Sequence, residues 1–238
     1  MNTDIKNRPV GEIVSENYHA AGVFREFGID FCCGGHKTLL EVTEKRGIDS
    51  RLVESKLEEI FGQSSGKDDN YSEWEPGFLI DYIINTHHKF VRNKTDEISA
   101  YAAKVAKVHG ENHPENIEIF RRFLMLSDDL IKHLEEEENT VFPLIKQIYR
   151  EKSEGKNVDK DLLKELRKEL SQMVDDHEGA GGMMAEINEL SHRFTPPQDA
   201  CATYRILYKN LEGFEEDLHK HVHLENNILF KKAEMLLN

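Results

Sequence analysis

The sequence predicts an all-α protein: an antiparallel four-helix bundle preceded by a small helical N-terminal domain. Three observations carry this. Charged residues make up 32% of the 238-residue chain and apolar residues 38%, a mixture that suits a helix-rich globular protein. After Trp74 the chain falls into four long stretches of helical periodicity, separated only by "HGENHPEN", "KSEGKN" and "FTPPQD". Short breaks between long helices make antiparallel neighbours, which is bundle topology.

The elements follow in order. Residues 1–62 read as a small helical unit. In "PVGEIVSENYHAAGVFREFGI" the apolar residues Val10, Ile13, Val14, Ala21, Val23, Phe24 and Phe27 recur near helical spacing, and Gly28 is a C-terminal stop. A charged helix from about Asp49 to Phe61 closes the unit. "GQSSGKDDNYSE", from Gly62 to Glu73, is polar and glycine-rich and reads as a flexible linker, so residues 63–75 separate the unit from a bundle over 76–238. The four bundle helices run from about Pro76 to Val108, Pro114 to Arg150, Val158 to His192 and Ala200 to Leu237. Pro76 suits a first helical turn.

A formal net charge of −14 argues against nucleic acid and against anionic membrane, both of which need a basic surface. No apolar run approaches the ~18 residues of a membrane span, and the N-terminus lacks the apolar core of a signal peptide. The expected compartment is the cytoplasm. Cys32, Cys33 and Cys201 are too few for a disulfide framework.

The bundle repeats itself. "HLEEEENTVF" begins at His133 and "HVHLENNILF" at His221; both read His-x-x-x-Glu, with Asn six and Phe nine residues after the histidine. His133 to His221, Glu137 to Glu225 and Phe142 to Phe230 are each 88 residues apart, and His88 to His177 is 89. A chain of this composition would hold about two His-x-x-x-Glu pairs by chance, so the shared offset carries the argument. Residues i and i+4 share a helix face. His133 and Glu137 fall on the stripe Leu126, Leu130, Leu134, Val141 and Leu144; His221 and Glu225 fall on the stripe Leu211, Phe214, Leu218, Val222 and Leu229. Glu135 and Glu138 point away, Glu136 sits near the edge, and His219 and His223 lie off the stripe. His87 also lies near the apolar face of its helix, and register with His177 favours His88 over it.

An ionised glutamate in a bundle core costs several kcal/mol unless it is paired or bound to metal. Two of them, each with its own histidine, suggest a pair of cations. His88, His133, His177 and His221 would supply nitrogen, while Glu137 and Glu225 could bridge. Four imidazoles and two carboxylates suit iron and would also admit manganese or zinc.

The pattern of His88, His133-x-x-x-Glu137, His177 and His221-x-x-x-Glu225 resembles the hemerythrin-like di-iron domains. With "GIDFCCGG", "HVHLENNILF" and "TPPQDACATY" it resembles, over nearly the whole chain, the iron–sulfur cluster repair di-iron proteins of the RIC or ScdA type. The resemblance implies a hemerythrin-like bundle with two non-haem iron ions in an oxo- or hydroxo-bridged centre, held by His88, His133, Glu137, His177, His221 and Glu225. It implies a cytoplasmic, often dimeric protein that restores iron–sulfur clusters damaged by nitric oxide or peroxide, with iron–sulfur proteins as clients. Oxygen-carrying hemerythrins have a second histidine one turn after the third-helix ligand; here that position is Gly181, which favours labile iron or nitric oxide chemistry over O2 carriage.

The family's cysteine pair falls on Cys32 and Cys33. Adjacent cysteines hold one metal poorly and close only a strained disulfide ring. They read as reactive thiols, soft ligands or sulfur carriers, with Gly34 and Gly35 baring the backbone for close approach to another surface. A following helix N-terminus would favour thiolate. Three functions compete: iron supply to damaged clusters, a di-iron nitric oxide reductase or related oxidoreductase, and a sensor or carrier of O2 or nitric oxide.

Overall fold

The structure, a computed structural model, describes residues 5–63 and 70–237. It is all-helical, as the periodicity requires: the described residues hold no strand, only an isolated bridge between Pro9 and Thr38. Among the described residues no helix is long and apolar enough to cross a membrane. Two compact units emerge, one comprising the chain up to Leu79 together with Val222 onward, the other Ile80–His221.

In the first unit, α1 (Val10–Glu16) and α2 (Ala20–Glu26) replace the single periodic stretch expected from sequence. The break falls at Asn17, whose Oδ1 accepts from the His19 amide at 2.9 Å and so competes with the helix. Gly28, at φ 65°, ends this segment. Then comes α3 (Leu39–Arg46), to which the sequence reading gave no bounds. Its capping box is formed by Thr38, which accepts from the Glu41 amide, and Glu41, which accepts in return from the Thr38 amide. A fourth helix, α4 (Ser50–Gln63), matches the expected charged helix. Of the expected linker, residues 64–69 lie outside the described residues. Tyr71–Glu73 is a 3-10 turn whose Tyr71 is buried and meets Trp74 edge-on, so this part of the stretch is packed. The last segment of the chain shares this unit's core, where Ile13, Phe24, Phe31, Leu57 and Phe230 are all buried.

The second unit holds most of the bundle; the first four residues of its first helix and the end of its last, from Val222, belong to the first unit. Helix α5 runs as Pro76–Ile83, a π turn Ile84–His88 and Lys89–His109; α6 as Glu115–Glu136, a π turn Glu137–Val141 and Phe142–Ser153. Helix α7 is continuous over Lys160–Leu190, capped by the Asp159 carboxylate on the Asp161 amide; α8 runs as Ala202–Leu224, a π turn Glu225–Leu229 and Phe230–Met235. Phe214 of α8 packs against Phe90 of α5 and Phe123 of α6, fastening three rods to one another. The α6 π turn immediately precedes Pro143, which has no N–H to give a regular helix.

Candidate metal centre

Five of the six predicted ligands, His88, His133, Glu137, His177 and His221, lie in the second unit, and all five are buried. Glu225 follows one turn after His221 on the same helix and is fully buried. Three of the four rods change to π geometry at a predicted ligand: His88 ends one π turn, and Glu137 and Glu225 begin the others. A π turn carries an extra residue, so it re-aims side chains that a regular 3.6-residue turn would send elsewhere.

The geometry centres on Glu137. Its Oε2 lies 3.3 Å from Nε2 of His88, while its Oε1 lies 3.4 Å from Nε2 of His133 and 3.9 Å from Nε2 of His177. The two oxygens therefore face two different sets of imidazoles. Within the second unit, ligand atoms within 4.8 Å of one another form two sets, His88–Glu137–His221 and His133–Glu137–His177. Glu137 is common to both. Nε2 of His133 and Nε2 of His177 are 2.9 Å apart. Two nitrogens about 2.1 Å from one ion, at a right angle, would be separated by about 3.0 Å. The donor atoms of these sets could thus hold metal, with a buried carboxylate to offset its charge.

Two of the ring nitrogens that face away from the cluster have a carboxylate nearby. Nδ1 of His88 lies 2.7 Å from Oε1 of Glu138, and the Arg92 guanidinium donates to the same oxygen at 2.7 Å. Such a partner orients a ligating imidazole and raises its basicity. Burial pushes the Glu138 carboxyl up, but hydrogen bonds from Arg92 and His88 outweigh it and hold the group below its usual range. Glu138 therefore does not point away as its helical position suggested: within the π turn, consecutive Glu137 and Glu138 reach opposite nitrogens of one ring. Glu135 and Glu136 are exposed. On His133, Nδ1 lies 3.5 Å from Asp176.

His87 is also buried but belongs to neither set. It pairs with Asp217 at 2.9 Å and stacks on the His221 ring, 5.6 Å between centroids and 5° from parallel. His223, expected off the buried stripe, is buried as well; in the first unit it meets Tyr18 and Phe31. Only the apolar surface of the N-terminal helices could have indicated that this face of α8 would be covered.

Cys32 and Cys33 lie in the loop between α2 and α3, neither in a disulfide. Cys32 is buried and Cys33 half-buried. The helix N-terminus expected to favour thiolate begins only at Leu39, and the amides beside the cysteines are occupied by Asp30: Oδ1 accepts from the Cys32 and Cys33 amides at 2.9 and 3.0 Å, and Oδ2 from the Gly34 amide at 2.8 Å. The Cys32 thiol donates to Asp30 at 3.1 Å. Its hydrogen bond with Cys33, its burial and the Asp30 charge all push the Cys32 thiol well above its ordinary value, the reverse of the sequence expectation. The glycines also face inward. Asn227 donates to the carbonyls of Cys32 and Phe31 at 3.0 and 3.3 Å, and a Cβ on Gly11 or Gly35 would lie 2.3 Å from its Oδ1.

A hemerythrin-like cation-binding protein is the class that this bundle and its histidine–glutamate sets define. Residues 79–233 match the hemerythrin HHE cation-binding domain, and residues 6–60 match a domain of unknown function, DUF542. The chain is 34% identical over 225 residues to the iron–sulfur cluster repair protein ScdA of Staphylococcus haemolyticus, covering 94% of this chain and 96% of that one. It is 33% identical over 228 residues to the iron–sulfur cluster repair protein YtfE of Dickeya chrysanthemi, covering 96% and 97%, and 29% identical over 231 residues to YtfE of an Escherichia coli strain, again covering 96% and 97%. The chain belongs to the family of iron–sulfur cluster repair proteins.

Proposed function

We propose that this protein restores iron–sulfur clusters damaged by nitrosative or oxidative stress, supplying iron from a labile pair of non-haem ions joined by an oxo or hydroxo bridge. One observation carries the lability. A cleft of about 320 Å³ opens onto His133 and His177, lined by Asp129, Glu136, Asp175 and Asp176 with Lys132. Four carboxylates beside two imidazoles offer a leaving cation successive oxygen partners and an attractive field. Iron, when bound, would supply exchangeable coordination positions and one-electron chemistry. The chain's own residues position it: Glu137 spans the two sets, while Glu138 orients His88.

The clients are iron–sulfur proteins, and the working assembly is a cytoplasmic homodimer; both readings rest on the family resemblance. Metal analysis and Mössbauer spectroscopy of the purified protein and of His133→Ala test the centre. Two coupled irons per chain, depleted in the variant, support it. Anaerobic incubation with a nitric oxide-damaged iron–sulfur protein tests the function. Iron moving to the client supports supply. Catalytic nitrous oxide formation identifies an oxidoreductase instead, and a stable reversible adduct identifies a sensor or carrier.

A further inference from the structure

We propose that Asp30, Cys32 and Cys33 form a second, sulfur-based cation site, open on one side, for a thiophilic divalent ion such as Fe2+, Co2+, Zn2+ or Cd2+. The proposal does not depend on iron in the bundle, because the two places share no residue.

Three ligand atoms, one from each residue, lie within 4.8 Å of one another. The two sulfurs are 4.0 Å apart, and Cys32 Sγ is 3.1 Å from Oδ1 of Asp30. Two thiolates about 2.3 Å from a tetrahedral ion would be about 3.8 Å apart, and a thiolate and a carboxylate oxygen about 3.6 Å apart. Two edges of the triangle are thus within about half an ångström of one face of a tetrahedron, and the third, from Cys33 Sγ to Asp30, is no longer than 4.8 Å. Sequence adjacency suggested that Cys32 and Cys33 could not share an ion; the loop conformation brings their side chains to the same side.

The loop is held in this form from two directions. Asp30 accepts from three successive amides, those of Cys32, Cys33 and Gly34. Asn227 fixes the carbonyls of Phe31 and Cys32 from behind, in space that Gly11 and Gly35 leave open. Backbone and carboxylate are therefore in place before any ion arrives, which lowers the ordering cost of binding.

The stoichiometry is direct. The cation replaces the proton in the Cys32 S–H to Asp30 hydrogen bond; the Cys33 proton also leaves, and both pass to solvent. No electron moves. Two sulfurs and one oxygen select against magnesium and calcium. Structural sites of this kind are closed by four protein ligands, whereas three leave a position for an outside donor. Asp30 is exposed and Cys33 half-buried, so the fourth position faces outward from this loop. This is the geometry of a hand-over site.

The test uses the full chain, reduced, stripped of metal and titrated with Co2+ under argon. Thiolate-to-cobalt charge-transfer absorption reports sulfur ligation, and the histidine–glutamate sets contain no sulfur. We expect the band in the wild type and in Cys201→Ser, its loss in Cys32→Ser and in Cys33→Ser, and at least about tenfold weaker binding in Asp30→Asn. Asp30→Asn retains an oxygen for the loop amides, and circular dichroism checks that each variant is folded. Absence of the band in the wild type, its survival in either cysteine variant or its loss in Cys201→Ser would overturn the site. Unchanged affinity in Asp30→Asn would remove Asp30 from it.

Discussion

Glu138 holds the outward nitrogen of His88, with Oε1 2.7 Å from Nδ1. The opposite nitrogen of that ring faces Glu137 at 3.3 Å. Replacing Glu138 with Ala removes the orienting carboxylate while sparing every ligand atom. We expect metal affinity to fall about 10- to 100-fold, with helicity unchanged, measured by competition with a chelator of known affinity.

Glu137 is shared and the outer ligands are not, so variants should differ in metal content. His177→Ala and His221→Ala should each retain about half of the wild-type metal, whereas Glu137→Ala should retain almost none. Metal analysis after gel filtration decides it. Equal losses in all three would show that the two positions fill only together.

Asn227 and Gly11 interlock. Asn227→Ala leaves the carbonyls of Phe31 and Cys32 without their donor, a loss of about 1–3 kcal/mol. Gly11→Ala would force its Cβ against Asn227. The double variant should lose less than the sum of the two single changes, since the partner that Cβ would strike is then absent. Trp74, the sole tryptophan of the chain, lies in this unit and reports its unfolding by fluorescence in urea.

Cys32 and Cys33 should react at different rates. The hydrogen bond with Cys33, burial and Asp30 all keep Cys32 in the thiol form, and the thiolate is the nucleophile. Iodoacetamide at neutral pH should label Cys33 and the exposed Cys201 well before Cys32, as followed by peptide mass spectrometry. Asn227→Ala, which frees the loop, should narrow the gap.

At the far end of the bundle His113 pairs with Asp199 at 3.2 Å. The hydrogen bond to Asp199 raises the His113 value above its ordinary 6.5, assisted by Glu115 against burial. Its stabilising contribution is complete below pH 6.5 and fades as pH rises through the raised folded value. Asp199, lowered from 3.8 chiefly by His113, contributes above that ordinary value and loses its contribution as pH falls through the lowered one. The thermal midpoint gap between wild type and His113→Asn should therefore be widest in mildly acidic buffer and close toward alkaline pH.

The internal repeat shows how far sequence reasoning reaches. Asn139 and Asn227 occupy equivalent places, six residues after His133 and His221. In the structure Asn139 is exposed and bonds within its own helix to the Glu135 carbonyl, whereas Asn227 is buried beneath the cysteine loop. Nothing in either ten-residue segment separates these fates; they depend on a chain segment some 200 residues away.

Amino-acid order alone was enough for four rods and for the inward faces bearing His88, His133, Glu137, His177, His221 and Glu225, because helical periodicity is local and fixes which side chains share a face. Tertiary structure decided that Glu137 spans both sets, that Glu138 serves His88, that His87 turns to Asp217, and that Asp30 occupies the amides beside Cys32. Each of those outcomes is a distance of a few ångströms between groups far apart in the chain or displaced by a π turn. Such distances are set by packing, which periodicity does not encode.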